Sequence, residues 1–227
     1  MPNHIQNKIQ FIGDRSEVEK VIDSIRGNYN DGGEIQIDFN KIRPCPDGMD
    51  INSDGWLMPL DNKFLSNTRL KEHLDKLKEF VTKNPSIKEE TIENFFQGLR
   101  NYINHGHATW YSWNTENWGT KWNAYNQNDE RNTEDTIYFQ TAWCSPVNLI
   151  SELSNKFPCV IIKLCYADED SGCNTGRFTF SKGETIEVHK PINRSNEAYE
   201  LYFELHPERK KDYQLVEGKY KYIDNED

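Results

Sequence analysis

No stretch of these 227 residues is apolar over the roughly 20 positions needed to cross a bilayer, so no membrane span is expected. The opening Met1-Pro2-Asn3-His4-Ile5-Gln6 lacks a basic segment followed by an apolar one, so no secretion signal is expected either. Cysteine is sparse and poorly spaced for pairing. There are five, at 45, 144, 159, 165 and 173, with no Cys-x-x-Cys. That argues against a disulfide framework or a zinc site and for a reducing cytoplasm. Cys159 and Cys165, in an apolar run, are expected as small core side chains. Positive charge is also short. Twenty-seven Lys and Arg against 37 Asp and Glu leave a net charge of −10, which disfavours nucleic acid and anionic membrane as partners, since both need a cationic face. No phosphate-binding glycine loop, dinucleotide glycine fingerprint, His-Glu-x-x-His or Gly-x-Ser-x-Gly occurs, and no cofactor is expected.

What is present is a set of periodic segments. Ile5, Ile9 and Phe11 alternate with Gln6, Lys8 and Gln10, the pattern of a half-buried strand. Ser16 and Glu19 form a capping box ahead of Val18, Val21, Ile22 and Ile25, the apolar stripe of a helix. Glycine and asparagine at 27–33 turn the chain, and Ile35, Ile37 and Phe39 alternate again as a second strand. Residues 42–61, broken by Pro44, Pro46 and Pro59, read as a long irregular connection. Leu70, Leu74, Leu77 and Val81, then Ile92, Phe95, Phe96, Leu99 and Ile103, carry helical spacing and predict a two-helix hairpin, its second helix capped by Ser86 and Glu89 and ended by Gly106. A second strand–helix–strand unit follows: 136–143, a helix with Ser145 as N-cap and Pro146 at its first position, and 159–166. The last of these strands has few polar positions and is expected to be covered on both faces. Residues 176–181 and 184–189 around Lys182-Gly183 predict a hairpin, 198–211 a helix, and 218–227 a loose polar tail.

Two β-α-β units predict an α+β fold of ferredoxin-like type. It is an antiparallel sheet sandwich with helices on one face and its first and third strands central. An inserted helical subdomain separates the halves, and an extra C-terminal hairpin extends the sheet. The expected divisions are 1–60 for the first half, 61–125 for the helical subdomain with its Trp-rich segment, 126–190 for the second half with the hairpin, and 191–227 for a C-terminal helix and tail.

The most distinctive stretch holds Trp110, Trp113, Trp118 and Trp122, four of the six tryptophans. Indoles are costly to leave in water, so the cluster packs or binds. In the packing reading the rings pin the helical insertion, Gly119 supplies a turn at positive φ, and Asn117 and Asn123 bond the loop backbone. In the binding reading Trp113, Asn117, Trp118, Lys121, Trp122 and Asn123 form a contact surface, with indoles stacking on bases or sugars and Lys121 adding a cation. Packing is the commoner use of such rings, and it is the favoured reading. His105 and His107 could pair on a metal, but no third ligand stands at a diagnostic spacing, so no metal is expected. Cys144 between a strand and a helix invites a nucleophile reading, yet no partnered His is evident and Ser145 accounts for the position as a cap. Asp168-Glu169-Asp170 reads as a solvated turn, since it lacks the glycine and terminal glutamate of a calcium loop. An RNA-binding sheet would expose aromatics on the face of Gln6, Lys8, Gln10, Tyr138 and Gln140, and only one is there.

Asn3-His4-Ile5-Gln6-Asn7, Asp38-Phe39-Asn40-Lys41-Ile42-Arg43-Pro44, Trp113 through Ala124, and Phe139-Gln140-Thr141-Ala142-Trp143 together resemble the YubB-type (Api-ninety-two-like) family of conserved phage and plasmid proteins. The resemblance runs from Asn3 to about Glu184. It implies a ferredoxin-like domain with a helical subdomain and brings no catalytic activity with it. The expected function is a non-enzymatic, cytoplasmic accessory or interaction module of mobile-element origin, with a protein partner. The alternatives are a nucleic-acid-associated module using Lys121 and the clustered tryptophans, and an enzyme with its site near His105, His107, Cys144 and Lys121.

Overall fold

The structure is a computed structural model and describes residues 2–28, 33–51 and 89–223, together with positions 75, 78, 79, 82 and 83. The chain divides into two compact units. One comprises Met1–Pro44 with Trp118–Asp227, the other Cys45–Asn117.

The first unit is built on a five-stranded antiparallel sheet. Its strands are β1 (His4–Ile12), β4 (Thr136–Ala142), β5 (Ile161–Asp168), β6 (Gly176–Ser181) and β7 (Glu184–His189), in the order β4-β1-β5-β6-β7. β1 lies between β4 and β5 and pairs antiparallel with both. The helix α5 (Val147–Lys156) links those two flanking strands, so the second β-α-β unit forms as the patterning predicts. The hairpin β6–β7 extends the sheet beyond β5. Its two-residue turn holds Lys182 at φ 54° and Gly183 at φ 81°, the mirror-image turn whose twist matches the strands.

The first half departs from the expected β-α-β unit. After α1 (Arg15–Ile25), among the described residues, the two-residue strands β2 (Gly27–Asn28) and β3 (Glu34–Ile35) pair with each other and not with the five-stranded sheet. Phe39 to Ile42 form a short helix, α2 (Phe39–Ile42), rather than the end of a strand. The reason lies in who satisfies the backbone. Gln127 takes the place of a neighbouring strand: its Oε1 accepts the Ile37 N–H at 2.8 Å and its Nε2 donates to the Ile37 carbonyl at 3.1 Å. The Asp38 N–H goes to the Ile25 carbonyl at the end of α1, and the Phe39 N–H to Asn123 Oδ1. With those groups bonded, this segment has no need of the sheet. The third expected strand, β4, is consequently an edge rather than a centre, covered by a single antiparallel bridge from Tyr125 to Gln140.

Local caps also differ. Asp14, not Ser16, occupies the N-cap of α1, and its carbonyl accepts the Glu17 and Val18 N–H groups. Pro146, not Ser145, is the N-cap of α5. Ser145 is buried, and its hydroxyl donates to Asn7 Oδ1 at 2.6 Å. Asn7 in turn donates to Thr141 Oγ1 and to the Ile5 carbonyl, which removes the penalty of an amide inside the sheet.

The alternation of β1 separates two faces. Ile5, Ile9 and Phe11 lie with Ile137, Phe139, Ile162, Leu164, Phe178 and Phe180, all buried. Leu149, Ile150 and Leu153 of α5 are buried against this face, Phe39 of α2 meets Phe139 edge-on at 6.1 Å, and α1 packs beside α2. Helices were expected on one face only. The opposite face is covered as well, by α6 (Asn196–Leu205), whose Leu201, Tyr202 and Leu205 pack on Tyr138, Cys165 and Ala167. That agrees with the apolar run of β5, covered on both sides along much of its length. Of the tail expected to be loose, the part up to Ile223 is described: a turn of 3-10 helix (Pro207–Asp212) leads to the hairpin β8 (Tyr213–Val216) and β9 (Lys219–Tyr222), and positions 224–227 lie outside the described residues. The Tyr213 and Tyr220 rings meet those of Tyr199 and Phe203 on α6 at centroid distances of 5.2–5.5 Å, tilted or edge-on.

In the second unit, α3 (Glu89–His105) is the expected second helix of the hairpin, ended by Gly106 at φ 77°. Positions 75, 78, 79, 82 and 83 are helical, while Leu70, Leu74, Leu77, Val81 and the Ser86 cap lie outside the described residues. Asn101 on α3 donates to the carbonyls of Gly48 and Ala108, and the Trp110 N–H to the Met49 carbonyl. These bonds fix α4 (Trp110–Asn117), a helix within the Trp-rich segment that periodicity does not announce because its apolar and polar positions fall on no single face.

Candidate functional site

The Trp-rich segment separates into packed and accessible rings. Trp113 and Trp118 are buried, at 6% and 3% exposure. Trp118 Nε1 donates to the Arg43 carbonyl at 2.8 Å and its ring meets Phe39 edge-on at 5.8 Å. Asn117 donates back to the Trp113 carbonyl, closing the last turn of α4. Asn123 Oδ1 accepts the Phe39 and Ala124 N–H groups while its Nδ2 donates to Asp38 at 2.7 Å. Gly119 turns the chain at φ 78° as expected.

Lys121 and Trp122 are placed differently. Trp122 is 37% exposed, and so is Trp143, from the far end of β4. The Lys121 ammonium stands 4.9 Å from the Trp122 ring centroid and 5.0 Å from that of Trp143, within reach of both π faces. Trp122 meets Tyr125 edge-on at 6.1 Å, and the Tyr125 hydroxyl lies 2.7 Å from His4 Nδ1. Burial, with Glu169 adding a little, pushes the Tyr125 phenol up to about 12, so it stays protonated at every physiological pH.

Backbone strain marks the patch. Trp143 holds φ at 71°, in the left-handed region a bulky residue rarely enters. Its N–H donates to the Asn3 carbonyl, and Thr120 Oγ1 bonds both the N–H and the carbonyl of Ala142 beside it. Strain of this kind costs about 1–3 kcal/mol and persists where surrounding bonds over-determine it. Strand alternation alone would place Trp143 on the inner face with Phe139 and Thr141. The left-handed turn carries it out of the strand instead.

Of the six residues singled out from sequence, then, Lys121 and Trp122 share an accessible patch, while Trp113, Asn117, Trp118 and Asn123 are engaged in local packing and bonding. Sequence reasoning missed Trp143, Tyr125 and His4 as members. Trp143 and His4 both fall within stretches that carry the family resemblance, but nothing in linear spacing joins them to Lys121.

His105 is exposed, and His107 faces Glu116 at 3.6 Å. Among the described residues no group of three His, Cys, Asp or Glu side chains could hold a metal ion. Cys159 is exposed rather than a core side chain, and Cys165 is buried. Asp168 is no solvated turn residue. It is 5% exposed, and its carboxylate accepts from Asn3, Asn174 and the Asp170 N–H. No helix among the described residues is long and apolar enough to cross a membrane.

Residues 117–206 match a family model described as a ferredoxin-like domain in Api92-like protein. Over that stretch the resemblance read from the tryptophan and β4 motifs is shown, and the class the fold defines is an α+β protein with a ferredoxin-like domain. Among solved structures, the crystal structure of a protein api92 from Yersinia pseudotuberculosis is similar at 10% identity and a TM-score of 0.39, covering 85% of this chain and 99% of that one. No curated protein matches the chain.

Proposed function

We propose that the protein is a cytoplasmic, non-enzymatic accessory module of phage or plasmid origin that works by binding a protein partner. The observation that carries this reading is the pair of one-third-exposed indoles, Trp122 and Trp143, held around Lys121 by a strained backbone. Rigid aromatic rings with few rotatable bonds lose little entropy on contact, which is why they anchor interfaces. The mobile-element origin rests on the family resemblance alone.

The test is recovery of partners from the native host with the tagged full chain. Replacing Trp122 and Trp143 together by Ala is expected to cut recovery of the specific partner at least tenfold. Thermal unfolding should shift little, because both rings are already partly in water. Undiminished recovery with the double variant would refute the assignment of this surface.

A second reading has its own support: an ammonium between two indoles also suits a single strand, with bases on the rings and a phosphate on Lys121. It predicts binding to oligonucleotides that weakens steeply with salt. The net charge of −10 speaks against it, and absence of binding at low salt eliminates it.

A further inference from the structure

The sheet face under α6 keeps an opening beside the helix. Its lining is Lys8, Gln10, Lys163, Cys165, Arg177 and Glu204, and its volume is about 160 Å³. Strand register assembles it. Lys8 stands opposite Cys165 and Gln10 opposite Lys163 across β1 and β5, and Cys165 opposite Arg177 across β5 and β6. Three cations from three adjacent strands therefore share one face. Glu204 enters from the last turn of α6. Its Oε1 accepts from Lys8 Nζ at 3.2 Å and its Oε2 from Arg177 Nη2 at 2.6 Å. Lys163 is exposed and has no ion-pair partner among the described residues. Burial pushes the Cys165 thiol up to about 11, so it adds no negative charge to the floor.

Three cations against one carboxylate leave two positive charges in a cleft of a chain whose net charge is −10. We propose that this cleft binds a phosphoryl group, as free phosphate or as a phosphate monoester, with Lys163 and Arg177 as its ligands and Glu204 as the built-in competitor. A phosphoryl group carries about −1.5 to −2 charges near neutral pH, which matches the excess. The guanidinium fork of Arg177 suits two phosphate oxygens at once. The volume holds a group several times the size of a water, which occupies roughly 30 Å³, and falls short of the roughly 300 Å³ at which pockets for larger organic ligands begin. Any remainder of an ester would lie outside, in solvent. The site is separate from the indole patch, and neither depends on the other.

Glu204 gives the proposal its sign. Neutralising the carboxylate of any such cluster uncovers its cations, so the native chain must itself bind phosphate for the site to stand. In a phosphoryl site, Glu204→Gln removes a like charge beside the ligand and frees both inner cations. Calorimetric titration of the full chain at low ionic strength, with inorganic phosphate in one arm and O-phosphoserine in the other, reads this out. Glu204→Gln is expected to tighten phosphate binding about tenfold over the native chain. Lys163→Gln is expected to weaken it several-fold with an unchanged melting temperature, and this variant decides the matter if Glu204→Gln fails to fold. Stronger binding of O-phosphoserine identifies a monoester as the ligand, and stronger binding of inorganic phosphate the free ion. Equal affinities of the native, Glu204→Gln and Lys163→Gln chains, or no binding by the native chain, would overturn the proposal.

Discussion

Two tryptophans of this chain meet opposite conditions. Trp118 is enclosed and hydrogen-bonded to the Arg43 carbonyl, whereas Trp143 is 37% exposed on a strained backbone. Trp118→Ala should destabilise the fold by about 3–5 kcal/mol, the usual cost of deleting a large buried ring, with the Arg43 carbonyl losing its donor as well. Urea unfolding measures it, and a loss below about 1 kcal/mol would mean the ring is not a packing anchor. Trp143→Gly should fall within about 1 kcal/mol of native stability, because relief of the left-handed strain offsets the lost ring contacts. A loss as large as that of Trp118→Ala would show the patch to be structural. Residue type foretold that the indoles matter. It could not say which of them is buried, because that depends on residues such as Phe39 and Arg43, which lie 75 or more positions away from Trp118 in the chain.

Among the elements, strand pattern was the most legible feature. β1, β4, β5 and the β6–β7 hairpin all lie where alternation and turn chemistry put them, because a half-buried strand writes a period of two into its own residues. The failure at Ile37 and Phe39, beyond the short strand that holds Ile35, is informative. Their alternation is genuine and Ile37 and Phe39 are fully buried, but side-chain amides rather than a strand satisfy the backbone. Alternation reports burial, not pairing. The hairpin offers a test of turn chemistry. Gly183 and Gly218 both sit at positive φ, 81° and 75°. A Cβ on Gly183 would stand 2.9 Å from Asn155 Cβ, whereas one on Gly218 would meet open space. Gly218→Ala should therefore cost only the left-handed penalty of about 1–2 kcal/mol, and Gly183→Ala distinctly more. Equal losses in thermal unfolding would show that Asn155 yields without strain.

For the molecule as a whole, the C-terminal segment is what closes the second face of the sheet, and His206 lies at that closure. Its ring stacks on Tyr202 at 4.6 Å, and its Nε2 is buried with no hydrogen-bond partner among the described residues. Burial holds its pKa below 6.5, and the nearby Arg131 and Arg209 charges lower it further against the opposing pull of Glu208. Below 6.5 the unfolded chain takes up the proton before the folded one does. Stability from this group is thus complete above pH 6.5 and declines as pH falls from there through the depressed folded value. His206→Gln should flatten that part of the pH–stability curve relative to the native chain, as read from urea midpoints between pH 7 and 5. Parallel curves would remove His206 from the account. The sequence by itself determined which strands alternate, where the chain turns and that the fold is α+β, because those properties are written by neighbours a few residues apart. Tertiary structure alone decided that α6 covers the second face, that Lys8, Lys163 and Arg177 gather around Glu204, and that Trp143 joins Lys121 and Trp122, because each of those meetings joins residues whose proximity depends on strand order and register rather than on spacing along the chain.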